Sequence, residues 1–458
     1  MPELRAPRFG AWALLGLWVA CATVLLADAN RFLPPGGEKF TDHMGPGGAD
    51  LLPSFNCAHA LLAGQNPYHY KLPHLPAALS WDGYTYQYPP THFLIYVPLA
   101  WLAGTDFQSA ARAQFYVALI TTFFLAWAVV DLLHGLLPMA AEQRFGLIAL
   151  VMFILTLNPG SQLGLERGQS DVITAALCWW AAAFFQRKRY GTAAFCAVAS
   201  GLLKGYGVPF GAGLLLLCLR RDAWRPALLG SLLALAFLLA PVARFLPDAV
   251  GAFATRAQMF WSSWHNQSVY NLIYMWKPEQ AQLGRKLFSA FAGFAMALAW
   301  LRLLVALRRD AADKATPLAL YTLASLIFIL SFSLNSFAYD AVLVLPGALY
   351  MTLAQGNWRT AALRGFATFT GAGLALCMFG LCAMSLARLV GPMRHTRDYP
   401  AHAVGQIGVV LLIVLISLVD WPSAIAATNV RASVSNVPAR GSSRPSQKPK
   451  NVRRPRRV

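Results

Sequence analysis

The sequence predicts an all-α membrane protein that crosses the bilayer many times. The chain has 458 residues, of which 57% are hydrophobic and only 12% are charged, and its mean hydropathy is +0.48. Soluble domains carry about 25% charged residues, so this chain cannot cover so large a core with polar side chains. The apolar residues form long blocks and do not alternate with the period of two that barrel strands require. Helices of about 20 apolar residues, which satisfy their own backbone in hydrocarbon, therefore account for the pattern.

About twelve apolar segments are candidate spans, with ends good to a few residues. They are 10–27, 110–131, 144–158, 171–186, 190–203, 207–219, 226–245, 286–305, 317–333, 340–355, 362–388 and 403–420. Segment 10–27 resembles a signal peptide, but we interpret it as a first span that orients the rest of the chain. Segments 190–203 and 207–219 are short enough to form a re-entrant pair instead. Segment 91–104 contains Pro98 and favours an interfacial helix over a span.

Basic residues orient this set of spans. If the N-terminus is cytoplasmic, the Lys- and Arg-rich loops around 187–189, 220–225, 308–314 and 359–364 all lie inside, as short cytoplasmic loops usually do. The predicted membrane domain is 1–420, and the basic, Pro- and Ser-rich tail 421–458 is expected to be disordered and cytoplasmic. The net charge of +19 follows largely from these loops and the tail. No folded basic domain with interleaved aromatic residues supports a nucleic-acid partner, so membrane lipids are the expected partner.

The opposite face collects an unusual set of polar side chains. It carries a large first outer loop, 28–109, and the short junctions between later spans. The candidate substrate-binding residues there are Tyr86, Tyr88, Glu166, Arg167, Gln169, Asp171, Lys204, Asn266, Gln267, Tyr339 and Asp340. Carboxylates and amides bind sugar hydroxyls, aromatic rings pack on sugar faces, and a lysine pairs with phosphate. This mixture suits a lipid-phosphate-linked sugar that enters from the membrane.

Several of these residues also have a purely structural interpretation. Lys204 could extend to the lipid headgroups, and Tyr86 and Tyr88 could belong to an interfacial aromatic belt. Glu166, Arg167 and Asp171 could form a structural ion pair at a helix start, where an acid favours the helix dipole. Histidines of the first loop lack the spacing of metal ligands, so no metal site and no cofactor are predicted. The seven cysteines do not indicate a disulfide framework.

The order of these motifs resembles glycosyltransferase family 87, a family of polyprenyl-phosphate-mannose-dependent enzymes of the GT-C fold class. The motifs are Asp50 with 64–68 (GQNPY), 86–90 (YQYPP), 168–171 (GQSD), Lys204 in an LLKG setting, 266–268 (NQS) and the late stretch 331–346. Each motif alone is unspecific, whereas their order over about residues 40 to 350 is more informative. The late stretch here has no histidine, unlike many members, which leaves the identity of the sugar open.

The resemblance implies a GT-C fold whose large outer loop bears interfacial helices and a catalytic carboxylate, which by position is Asp50. It implies an inverting transfer of a sugar, mannose in the family, from a polyprenyl-phosphate donor to a glycan or glycolipid acceptor. The family is chiefly bacterial, so the expected location is the bacterial inner membrane with the active site on the periplasmic side. A lipid-linked-sugar transporter or flippase and a structural membrane scaffold are the alternatives; no internal repeat of the kind that transporters often show was found.

Overall fold

In the described part of the chain, every regular element is a helix. The computed structural model describes residues 51–69, 88–136, 139–157, 164–165, 168–205, 207–219, 222–258, 279, 281–308, 315–332 and 341–354. The described helices are α1 Leu51–Leu62, α2 Pro90–Phe93, α3 Val97–Ala103, α4 Phe107–His134, α5 Ala141–Leu157, α6 Asp171–Gln186, α7 Tyr190–Leu203, α8 Gly207–Cys218, α9 Trp224–Ala234, α10 Leu246–Gln258, α11 Ala281–Arg308, α12 Ala315–Phe332 and α13 Ala341–Ala354. The predicted spans 10–27, 362–388 and 403–420 and the tail 421–458 lie outside the described residues.

Each predicted span between 110 and 355 overlaps one of these helices. Two helical stretches, Phe107–His134 and Trp224–Ala252, are long and apolar enough to cross a membrane by themselves, with hydropathies of 2.0 and 2.1. At about 1.5 Å per residue, the 28 residues of α4 reach about 42 Å, which exceeds the roughly 30 Å hydrocarbon layer. The total of about twelve spans stays a prediction.

Two predicted segments were wrong in their limits. The span predicted at 226–245 continues to Gln258, through a π-helical turn at Leu235–Leu239 and a 3-10 turn at Ala240–Phe245. Pro241 supplies no backbone N–H to a regular α-helical ladder, which accounts for the change of helix type without a break. The single interfacial helix predicted at 91–104 is two short helices, α2 and α3, because Pro98 likewise cannot continue one ladder.

The centre of the bundle is formed by α4, α6, α7, α8 and α12. Trp179 of α6 and Tyr321 of α12 are fully buried there. Small residues let the helices approach closely: an added Cβ at Gly211 would lie 3.1 Å from Ala197 O, and one at Gly201 would lie 3.3 Å from Val208 Cγ2. These pairs show that α7 and α8 run antiparallel. Glycine contacts of this kind are typical of helices packed in membranes.

The outer surface of the bundle is strongly apolar. Only 22% of the most apolar window of Trp224–Ala252 is buried, and Phe237 is 69% exposed. In α3, Trp101 and Leu102 are each 73% exposed. Soluble proteins rarely expose apolar patches of such extent, whereas lipid tails and the interfacial zone accept them. The surface therefore fits a chain that is embedded in a bilayer.

One end of the bundle carries an ion cluster and basic loops. Arg144 Nη2 lies 3.1 Å from Asp131 Oδ1, and Arg187 pairs with the same carboxylate oxygen. An added Cβ at Gly191 would lie 3.0 Å from Pro226 O, so the starts of α7 and α9 also meet at this end. The described parts of two loops that the charge pattern assigned to the cytoplasm, 187–189 and 222–225, thus share one end of the structure. The opposite end holds the starts of α4 and α6 and the turn between α7 and α8.

Candidate active site

At that opposite end, a lysine and an aspartate form a buried ion pair. Asp171 is the first residue of α6, and Lys204 follows the last residue of α7 in extended conformation, with φ −145° and ψ 138°. Because α6 and α7 are neighbours joined by a tight turn, the start of one meets the end of the other. Lys204 Nζ donates to Asp171 Oδ1 at 2.7 Å and to Gln169 Oε1 at 3.1 Å. The two charged residues are 3% and 1% exposed.

This burial decides between two interpretations of Lys204. A lysine that extends to the headgroups keeps its ammonium group in a wet environment, but this side chain is only 4% exposed. The headgroup interpretation was therefore wrong. An isolated buried ammonium group is very costly, and pairing with Asp171 offsets that cost. The structural ion pair suggested among Glu166, Arg167 and Asp171 stays a prediction, since Glu166 and Arg167 lie outside the described residues.

An aromatic ring supports the ammonium group. The Tyr88 ring centroid lies 5.1 Å from Lys204 Nζ, which is within the range of a cation–π interaction. Tyr68 OH donates to the backbone oxygen of Tyr88 at 2.8 Å. Burial raises the pKa of the Tyr68 hydroxyl, so this group remains a donor at neutral pH. Tyr88 is thus part of the cluster and not a free member of an aromatic belt.

His92 is a member of this cluster that the sequence analysis missed. Its side chain is 1% exposed, and its ring stacks on Tyr88 with centroids 4.2 Å apart. Nδ1 lies 3.1 Å from Leu203 O, and Nε2 lies 3.3 Å from Ser54 Oγ. Burial, with a smaller contribution from the nearby Lys204 charge, lowers the pKa of His92, so the ring is neutral. No spacing rule identifies it; the one available signal was its position two residues after the Pro89-Pro90 pair.

The 64–68 motif has a structural role here. Gly64 closes α1 with a positive φ of 69°, a conformation that favours glycine. Asn66 Oδ1 accepts from Tyr68 N at 3.0 Å, and Asn66 Nδ2 donates to Asp248 Oδ2 of α10 at 2.7 Å. Arg244 donates to Gly64 O at 3.1 Å. These contacts fasten the end of α1 to the helix that starts at Leu246 and place Tyr68 beneath Tyr88.

A second glycine brings α1 to the ion pair. Gly168 has a φ of 74°, and an added Cβ there would lie 2.7 Å from Leu51 Cβ. Only glycine fits without a shift, since both the conformation and the space exclude a side chain. The first residue of α1 therefore packs on Gly168, which lies directly before Gln169 and close to the start of α6. Asp50 directly precedes Leu51 in the chain and lies outside the described residues.

Some polar atoms near the Lys204–Asp171 ion pair can still form hydrogen bonds with a ligand. Asp171 Oδ2 and Thr174 Oγ1 are buried and have no hydrogen-bond partner among the described residues. Both belong to the first turn of α6. Within the described ranges, no group of three or more His, Cys, Asp or Glu residues is arranged to hold a metal ion. The arrangement can therefore offer hydroxyl and carboxylate acceptors beside a fixed ammonium group.

The structure describes only part of the predicted site. Tyr88, Gln169, Asp171 and Lys204 come together within one cluster. The remaining predicted residues lie outside the described ranges: Asp50, Tyr86, Glu166, Arg167, Asn266, Gln267, Tyr339 and Asp340. Their roles stay predictions.

A helical bundle with an apolar surface and buried ionisable residues at one end fits a membrane protein with a functional site at that end. The profile of glycosyltransferase family 87 matches residues 86–336, which is more than half of the chain. The chain therefore belongs to glycosyltransferase family 87, as the motif order predicted, and it is a membrane glycosyltransferase. The matched range begins just before Tyr88 and includes Gln169, Asp171 and Lys204.

Two solved structures are distantly similar to most of the chain. ArnT from Cupriavidus metallidurans in the apo state is 15% identical with a TM-score of 0.43, covering 89% of this chain and 77% of that chain. The same enzyme bound to undecaprenyl phosphate has the same identity and TM-score, with coverages of 92% and 78%. These likenesses are too distant to carry functional assignments. No curated protein sequence matches the chain.

Proposed function

We propose that this protein transfers a sugar, mannose by family resemblance, from a polyprenyl-phosphate donor to a glycan or glycolipid acceptor. The proposed location is the outer face of a bacterial inner membrane. The observation that carries the proposal is the buried cluster of Lys204, Asp171 and Gln169 under the Tyr88 ring. This cluster lies at the end of the bundle opposite the basic loops, where a lipid-linked donor would place its phosphate and sugar.

The proposed role of Lys204 is electrostatic. When the bond between the sugar and the phosphate breaks, negative charge grows on the phosphate that leaves. A cation that is already fixed near that position stabilises the charge without reorganising. Asp171 and Gln169 hold the ammonium group at 2.7 and 3.1 Å, which supports a preorganised position. The lipid phosphate is stable as an anion, so the reaction needs no strong general acid.

The proposed general base is Asp50. A hydroxyl is a poor nucleophile, and a carboxylate beside it accepts its proton as the new bond forms, an effect of about 10²–10⁴-fold. Leu51, the residue after Asp50, packs on Gly168, three residues before Asp171. That contact supports a position for Asp50 near the ion pair. One carboxylate and no covalent intermediate imply a single displacement, which inverts the anomeric carbon.

Transfer in reconstituted vesicles tests this proposal. Asp50→Asn keeps the size and hydrogen bonding of the side chain but cannot accept a proton at neutral pH. Turnover with a polyprenyl-phosphate sugar should fall by at least about 10²-fold, while donor and acceptor binding persist. The matched controls are Asp42→Asn and Asp82→Asn in the same loop, which should stay active.

Two results would contradict the proposal. Full activity of Asp50→Asn would remove Asp50 as the base. Movement of the lipid-linked sugar across the vesicle without a new glycosidic bond would indicate the flippase alternative. The anomeric configuration of the product, measured by NMR, should be opposite to that of the donor. Mass spectrometry of lipid-linked glycans from cells with and without the gene would identify the sugar and the acceptor.

A further inference from the structure

The end of α7 needs hydrogen-bond donors from elsewhere. The last carbonyl groups of a helix have no partner within the helix, and a buried carbonyl without a partner is costly. After Leu203 the backbone becomes extended, so no further turn of α7 supplies N–H donors to these carbonyl groups. Thr91 Oγ1 donates to Leu202 O, and His92 Nδ1 lies 3.1 Å from Leu203 O. Helix α2 thus caps α7 immediately before Lys204.

The contacts of His92 define one orientation and one tautomer. A carbonyl oxygen can only accept, so Nδ1 carries the proton and donates to Leu203 O. Nε2 is then the acceptor for the hydroxyl of Ser54, at 3.3 Å. The ring is completely enclosed, and its lowered pKa agrees with this neutral form. Such a side chain has little freedom to move.

His92 contacts both supports of the Lys204 ammonium group. One face of its ring stacks on Tyr88, with an angle of 24° between the planes, and the Tyr88 ring lies under Lys204 Nζ. Its Nδ1–H bonds to the residue that precedes Lys204 in the chain. The backbone and the aromatic support of Lys204 are therefore held by the same imidazole.

We propose that His92 is a positioning residue that fixes Lys204 for the glycosyl transfer through the Leu203 carbonyl and the Tyr88 ring. His92 itself contacts neither reacting atom; it acts through Lys204. The kinetic consequence rests on the proposed function, whereas the position of Lys204 does not. A displacement of about 1 Å in a catalytic group can cost about 10²-fold in rate.

Two substitutions separate the roles of the hydrogen bond and the ring. His92→Asn places an amide N–H where Nδ1 stands, since both nitrogens are attached to Cγ, but it removes the ring. His92→Phe keeps a ring for Tyr88 but leaves Leu203 O without a donor. If the bond to Leu203 O positions Lys204, kcat should fall by about 10²-fold in His92→Phe and by about tenfold or less in His92→Asn. The acceptor KM should not change in either variant.

A chemical readout follows Lys204 without reference to activity. Reductive methylation with formaldehyde modifies accessible amines, and peptide mass spectrometry locates them. In the folded wild-type protein, buried Lys204 should be protected and exposed Lys188 should be modified. Lys204 should become modified in His92→Phe and stay protected in His92→Asn. Tyr321→Phe is the matched control, because it removes another buried bond to a backbone carbonyl, Phe210 O, at 2.8 Å; Lys204 should stay protected there.

The outcomes distinguish this inference from the proposed function. Equal protection of Lys204 in all variants, or a greater loss in His92→Asn than in His92→Phe, would overturn the positioning role. The expected labelling pattern in a protein that transfers no sugar would support the positioning role and reject the proposed function. If His92→Phe does not fold, His92→Leu also removes the donor to Leu203 O, and Lys204 should then be modified.

Discussion

At the scale of single residues, the pair of Lys204 and Asp171 dominates the candidate site. Both side chains are almost completely buried, and the lysine also bonds to Gln169. Breaking a buried pair by removing one partner leaves a charge that nothing compensates, whereas removing both partners costs less. The pair therefore links the stability of the site to its chemistry. A single substitution of Lys204 cannot by itself separate folding from catalysis.

A double-mutant cycle measures this coupling. Lys204→Met and Asp171→Asn should each destabilise the protein by about 3–5 kcal/mol, and the double variant by clearly less than the sum. The measurement is equilibrium unfolding in detergent micelles. All three variants should lose transfer activity, because each loses the fixed ammonium group or its support. Asp222→Asn and Arg225→Met change exposed charges near the other end and should stay within about 0.5 kcal/mol of wild type.

Strictly additive losses in the cycle would show that the two side chains do not stabilise each other. Full transfer activity in the double variant would show that the cation is not needed for the reaction. Either result would require a different interpretation of the cluster.

At the scale of elements, the turn between α7 and α8 places Lys204. These helices run antiparallel and are separated by a very short connection that contains Gly205. An added Cβ at Gly207 would lie 2.2 Å from Ser200 Oγ and 2.5 Å from the backbone carbon of the same residue. Backbone atoms cannot give way as a flexible side chain can. The close approach of the two helices therefore depends on this glycine.

Gly207→Ala should force the two helices apart. We expect a loss of stability of about 1–3 kcal/mol or more, since overpacking of a tight contact has costs of this order. Transfer activity should fall with it, because the end of α7 carries Lys204. Thermal unfolding in detergent measures the first effect. Gly205→Ala, two residues earlier in the chain, is the matched control. An added Cβ at Gly205 meets nothing within 4 Å, so the unfolding temperature of this variant should stay near that of wild type. Equal stability of both variants would contradict the close packing.

At the scale of the whole molecule, the bundle has two chemically different ends. One end carries Asp131 with two arginines and the basic turn around Lys188. The other carries the ion pair of Lys204 and the short helices α1 to α3, with Trp101 and Leu102 exposed on the last of them. Helix α4 connects the two ends over about 42 Å. This separation agrees with a protein whose site opens on one side of a membrane.

Cysteine labelling tests which end faces which compartment. Thr105 and Lys188 are exposed and lie near opposite ends of the bundle. A membrane-impermeant maleimide added to intact cells should modify Thr105→Cys, whereas Lys188→Cys should react only after the membrane is opened. The parent chain is the control, and its described cysteines, Cys57, Cys178, Cys196 and Cys218, are all buried. The reverse labelling pattern would move the candidate site to the cytoplasmic side and exclude the proposed periplasmic reaction.

The sequence determined the helical class, the approximate helices and the family. Predicted spans 171–186, 190–203 and 207–219 agree with α6, α7 and α8 to within a residue. Agreement is this close because a membrane span is a local property: an apolar block ends where charged or polar residues begin. The polar junctions between spans could also be predicted from the sequence, because only 12% of the residues are charged and ionisable residues at span ends are therefore distinctive.

Only the tertiary structure decided which of those polar residues are partners. Lys204 and Asp171 are separated by 33 positions, and their contact depends on α6 and α7 being adjacent and antiparallel. The proline pair before His92 did not indicate its role, because a buried histidine that caps a distant helix has no characteristic sequence spacing. The continuation of α9 through Pro241 was missed for a similar reason. Hydropathy is a property of consecutive residues and can be calculated from the sequence. Hydrogen bonds and ion pairs depend on distances between residues that are far apart in the sequence, and these distances are set by how the helices pack.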